Sequence, residues 1–257
     1  MNFSQLHQQA APLLLANVWD AASARAAQAA GYAAIGTSSA AIADSLGYPD
    51  GEGVSFAELK ALVVRLRAVS DLPLTVDVEA GYGETAEKVA ANLRELAALG
   101  VAGVNLEDSV VRNGQRTLLD AEIFAHRLRD IRTGLEMAGV TLFLNVRTDS
   151  FLLGIAEARS ETLDRGRRYA ASGADGLFVP CVTDEADIAA IVAGVSLPLN
   201  VMCMPNLPSF ERLAGLGVKR ISMGNFLHQR IQHTLKQLFA AVRGGQSFQP
   251  IFDHAGQ

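Results

Sequence analysis

The stretches Leu74-Thr-Val-Asp77-Val-Glu79-Ala-Gly-Tyr-Gly83, Val104-Asn105-Leu-Glu107-Asp108 and Phe143-Leu-Asn145-Val-Arg147-Thr-Asp149 are apolar runs that each end in charge. Side chains alternate along a strand, so Asp77 and Glu79 are expected on one face, Asn105 and Glu107 on another, and Asn145 with Arg147 on a third. If the strands are neighbours, several carboxylates and one guanidinium converge. Isolated charges are too costly to bury, so such a cluster points to a metal ion or an ionic ligand.

Further strand-like runs at 13–18, 33–36, 176–179, 199–202 and 220–223 alternate with helical patterns at 21–30, 56–69, 84–99, 120–138, 156–172, 185–192, 209–214 and 226–242. Several helices stop at glycine just before a strand, as in Leu99-Gly100 and Ser172-Gly173, where a left-handed cap needs no Cβ. The strands are nearly all apolar, as expected when both faces are covered. Eight such units in 257 residues predict an α/β fold, a (β/α)8 TIM-type barrel forming one domain over 1–257, with chemistry at the C-terminal strand ends. A doubly wound open sheet gives the same alternation, but no Gly-x-Gly-x-x-Gly opens the first helix.

With 49% hydrophobic and 19% charged residues the chain can bury a large core, and its formal charge of −5 argues against nucleic acid or anionic membrane as partner. No apolar run approaches a membrane span, and the N-terminus lacks the basic opening of a signal peptide. A cytoplasmic location is expected. Cys181 and Cys203 make neither a disulfide framework nor a metal knuckle, and are expected to be buried small hydrophobes.

Asp77, Glu79 and Glu107 are the candidate metal group, since carboxylates suit a hard cation such as Mg2+, with Mn2+ an alternative. No histidine falls on a strand end, which weighs against zinc. Arg147 should sit at the barrel mouth, where a planar guanidinium can grip a carboxylate or phosphonate; a salt bridge with Asp149 or Glu107 is compatible with that use. The segment Gly36-Thr-Ser38-Ser39-Ala40 offers hydroxyls and amides for an anion, although Ser and Thr also cap helices. Asp50 lies in a turn-rich loop nearby. Lys60, Lys88 and Lys236 fall on helices and Lys219 at the start of a strand, so a Schiff-base mechanism is disfavoured.

The ordered set Asn17-Val-Trp-Asp20, Gly36-Thr-Ser-Ser39, Leu46-Gly-Tyr-Pro-Asp50, Asp77-Val-Glu79-Ala-Gly-Tyr-Gly83, Glu107-Asp108 and Asn145-Val-Arg147-Thr-Asp149 resembles the isocitrate lyase/phosphoenolpyruvate mutase superfamily over most of the chain. The resemblance implies a barrel that binds Mg2+ with a 2-oxo acid or its enol form. It also implies a homodimer or homotetramer whose subunits exchange the last helix. Asp77, Glu79 and Glu107 would form the metal shell directly or through water, with Asp50 outside it. Ser38 and the amides of Ser39 and Ala40 would bind the acid group, Arg147 would clamp the other end, and Asn105 would join the substrate contacts. Arg147, Glu107 and Asp50 are then the candidate catalytic residues.

The departures bear on the reaction. Glu79 stands where the family motif carries Asp, and residues 109–117 form a short loop lacking the Lys-Lys/Arg-Cys-Gly-His element of isocitrate lyases. Cleavage of tricarboxylates is therefore disfavoured. The expectation is an oxaloacetate decarboxylase-like lyase that breaks a C–C bond through an enolate. The rivals are phosphonopyruvate hydrolase or mutase chemistry, and a non-catalytic 2-oxo acid binding protein.

Overall fold

In Gly103–Glu107 and Phe143–Arg147 the apolar residues Val104, Leu106, Leu144 and Val146 are at most 1% exposed and share a core cluster with the helix residues Leu93, Leu128 and Ile131. Asn105, Glu107, Asn145 and Arg147 alternate with them and face the opposite way, into the barrel. The computed structural model describes residues 2–51 and 53–252. Its main sheet is parallel throughout, and its segments follow the order of the chain round to the start. Leu13–Leu14 pairs with Arg220–Ser222 and Ala16–Val18 pairs with Ile35–Thr37. Residues 13–18 thus act as one strand that closes an eight-stranded barrel. The seam is fastened at its upper end by Asn17, whose Oδ1 accepts from the amides of Met223 (2.7 Å) and Gly224 (3.1 Å).

The helices end where predicted, within two or three residues, and Gly100 and Gly173 take the expected positive φ of 81° and 96°. Each strand therefore re-enters the barrel from the same side. The N-terminal face is plugged by Phe3, Leu13, Leu15, Ala34 and Phe143, with His7 stacked on Phe143 at 4.3 Å. Above that plug the interior is polar. Asn145 Nδ2 donates to Asn105 Oδ1 (2.9 Å) and Asn200 Oδ1 (3.1 Å), and the buried Arg220 Nη2 donates to Asn105 Oδ1 (3.3 Å). Unpaired polar groups in such an interior would be costly, so the three asparagines satisfy one another and hold adjacent strands in register.

The structure adds elements to the sequence reading. Residues 109–117 are not a plain loop. Ser109–Arg112 and Gln115–Leu118 form an antiparallel hairpin, turned by Asn113 and Gly114 at φ of 53° and 74°. Ser39–Leu46 is a further helix. Neither cysteine is buried: Cys203 is exposed and Cys181 half-buried, because both lie just beyond strands that end at Met202 and Val179. Among the described residues no helix is long and apolar enough to cross a membrane.

Candidate active site

Asp77 ends the strand Leu74–Asp77, and the neighbouring elements hold it in place. Its Oδ2 accepts from the amide of Ser39 at 3.2 Å and from the Ser39 hydroxyl at 2.8 Å, while its own amide donates to Thr37 Oγ1 at 2.8 Å. The start of the helix Ser39–Leu46 therefore fixes this carboxylate. Ser38 is the N-cap of that helix: its Oγ accepts from the Ala41 amide (3.4 Å) and its amide donates to Val18 O (3.3 Å). The Ser39 amide, expected to meet substrate, is instead engaged by Asp77. Ser38 and Ala40 both line the cavity.

Ser38, Ser39, Ala40, Asp50, Asp77, Asn105 and Arg147 line one cavity of about 180 Å³ at the C-terminal ends of the strands. Glu107 and Glu79 do not. Alternation places Glu79 beside Asp77 only if the strand continues, but the strand stops at Asp77 and Glu79 has a φ of 49°. Glu79 is buried instead, and its Oε1 accepts from the Tyr82 hydroxyl at 3.2 Å.

Glu107 sits just behind the cavity wall between two guanidinium groups. Arg116 Nη1 bonds its Oε1, and Arg147 Nη1 lies 3.0 Å from its Oε2, off the hydrogen-bond axis. Arg147 also donates to both oxygens of Asp149, from Nε at 2.6 Å and Nη2 at 3.1 Å. Its guanidinium lies 6.0 Å from the Phe178 ring centroid. Burial pushes the Glu107 carboxyl above its ordinary range, against the pull of Arg147 and Arg116. Burial also raises Asp50, helped by the charge of Asp77 and opposed by both arginines. Burial disfavours the charge on Arg147, but Glu107 and Asp149 more than offset it and raise its pKa.

Arg116 is the charged cavity residue that the sequence reading missed. It comes from the second strand of the hairpin and its side chain is only 15% exposed. It reaches Glu107, Ser109, Asp149 and Asp50, and lines the cavity. The Asn113-Gly114 pair was the available signal, because Asn-Gly favours a two-residue hairpin turn.

The donor set is all hard oxygen. Among the described residues no three His, Cys, Asp or Glu side chains gather as a ready-made metal cage. Mg2+ commonly rests on one or two carboxylates, with water and substrate supplying the rest. Asp77 fits that sparse mode, with Asp50 across the same cavity.

The family model described as phosphoenolpyruvate phosphomutase matches residues 3–243. An oxaloacetate decarboxylase from Ectopseudomonas mendocina (strain ymp) is 32% identical, over 80% of this chain and 69% of that protein. An uncharacterized protein of Mycobacterium tuberculosis (strain ATCC 25618 / H37Rv) is 32% identical over 96% of this chain and 90% of its own. A candidate phosphonomutase from Burkholderia cenocepacia J2315, solved by crystallography, superposes with a TM-score of 0.86. It shares 40% identity, covering 95% of this chain and 96% of that one.

Proposed function

Because the chain belongs to the phosphoenolpyruvate mutase/isocitrate lyase superfamily, we propose that it is a Mg2+-dependent lyase that decarboxylates a small 2-oxo dicarboxylate of the oxaloacetate type. One observation carries this reading: Asp77 and Asp50 share a cavity of about 180 Å³ with Arg116 and Arg147. That volume suits a short acid, and the mixture of charges suits an anion held beside a cation. A bound Mg2+ supplies Lewis-acid polarisation of the substrate's keto and carboxylate oxygens. Asp77, and Asp50 outside it, would hold the ion.

The protein's own groups divide the remaining work. Arg147, anchored by Asp149, faces the substrate and offsets the negative charge that develops as the bond to the departing carboxylate breaks. Glu107 keeps Arg147 and Arg116 together. Leu152, Phe178, Pro180 and Met202 form an apolar wall that limits water around the reacting carbon. Loss of CO2 needs no protein acid in the bond-breaking step, which agrees with a hairpin that carries neither cysteine nor histidine.

Similarity to a candidate phosphonomutase supports a second reading, cleavage or transfer at a C–P bond on the same metal and arginines. The experiment offers purified protein oxaloacetate and phosphonopyruvate, each with Mg2+ and with EDTA, and measures pyruvate, phosphate and phosphoenolpyruvate. Oxaloacetate consumption above the metal-only rate, abolished by Asp77→Asn, is the expected result. Product only from phosphonopyruvate selects the second reading. Mg2+-dependent binding of oxalate without any turnover would leave a binding protein.

We also propose a homodimer or homotetramer. The helix Phe226–Gly245 buries only His228 among its described residues and exposes Leu227, Ile231, Leu235 and Phe239 at four-residue spacing, a stripe suited to a second subunit.

A further inference from the structure

We propose that Arg116 is a substrate-binding residue that selects 2-oxo dicarboxylates of the oxaloacetate type by taking the carboxylate remote from the 2-oxo acid end. The inference rests on the lyase reading above and deepens it. The two cavity guanidinium groups differ in what holds them. Arg147 has Nε and Nη2 on Asp149 and Nη1 beside Glu107. Arg116 is fixed through Nη1 alone, by Glu107, by Ser109 Oγ at 2.8 Å and by Asp149 Oδ2 at 3.2 Å. Among the described residues its Nη2 has one polar partner, Asp50 Oδ2, at 3.5 Å. That distance is at the outer limit of a hydrogen bond, and the Asp50 side chain is 47% exposed.

Arg116 thus presents an anchored guanidinium with a weakly held N–H edge on the cavity. A carboxylate arriving there exchanges a long, half-solvated contact for a short charge-assisted one. Because Arg116 and Arg147 both bear on the carboxylate of Glu107, the two guanidinium groups lie side by side on one wall. Oxaloacetate carries a second carboxylate beyond its 2-oxo acid end that can reach Arg116; pyruvate has none, and oxalate would spend both of its adjacent carboxylates at the metal. The placement is tied to a neighbouring loop. A side chain at Gly51 would press on Val111, 2.7 Å away, so the loop carrying Asp50 packs against the hairpin carrying Arg116.

The test compares wild type with Arg116→Gln and Arg116→Lys in saturating Mg2+. It measures KM and kcat for oxaloacetate, and calorimetric affinities for pyruvate and oxalate. Arg116→Gln is expected to raise the oxaloacetate KM by about 30-fold or more, as for truncation of one partner in a charged hydrogen bond. Pyruvate and oxalate affinities should stay within about threefold, and Arg116→Lys should recover part of the loss. An unchanged KM overturns the proposal, as does a parallel loss for all three ligands, which marks Arg116 as a prop for Glu107. Wild type that neither binds nor converts any of the three sinks the lyase reading together with this one.

Discussion

His7 plugs the N-terminal end of the barrel as a neutral ring, and that sets how the fold responds to acid. It is 3% exposed, stacked on Phe143 at an interplanar angle of 13°, and its Nδ1 lies 3.0 Å from Phe3 O. Burial and then the charge of Arg220 lower its pKa from 6.5 to about 4. The drop corresponds to roughly 3 kcal/mol of preference for the neutral ring. Above pH 6.5 both folded and unfolded chains carry a neutral His7, and the term costs nothing. As pH falls below 6.5 the unfolded chain takes up a proton that the fold refuses until about pH 4. Stability therefore declines through that window, by about 2 kcal/mol at pH 5. His7→Phe keeps an aromatic ring on Phe143 and removes the titration. Urea denaturation of both proteins at pH 7.5 and 5.0 isolates the term, since acid effects from carboxylates are common to both. The wild type should lose about 2 kcal/mol more than the variant across that interval. Equal losses would show that the ring is charged, or hydrated, in the folded barrel.

Two other outcomes follow from the hairpin and from the last long helix. Gly114 turns the hairpin at φ 74°, a conformation that costs a β-branched residue about 1–2 kcal/mol. Gly114→Val should lower kcat/KM and speed proteolytic cutting between residues 112 and 115 while leaving the melting temperature of the barrel almost unmoved; a large melting shift would mean the hairpin is part of the core. Replacing Ile231 and Phe239 together by Asp should reduce the mass measured by light scattering to that of one chain. A wild type already monomeric at micromolar concentration would refute the subunit contact.

The fold was legible because a barrel repeats one instruction: an apolar strand, a helix, a glycine cap and a return. Asp77, Asn105 and Arg147 could be placed on one rim from alternation alone, since each still obeys strand geometry. Glu79 could not. It lies two residues past Asp77, where a positive φ cancels the period of two, and nothing in the identity of a glutamate announces that. Arg116 escaped for a different reason. Its own position carries no special signal, and it matters only because the Asn113-Gly114 turn folds it back over the strand end that precedes it in the chain. Alternation and propensity are local and can be read along the chain. The pairing of charges is decided by differences in separation of less than an ångström, such as the 3.5 Å from Arg116 to Asp50 against the 2.6 Å from Arg147 to Asp149. Sequence therefore indicates which residues meet at the rim, and geometry determines which guanidinium still has an edge to offer a substrate.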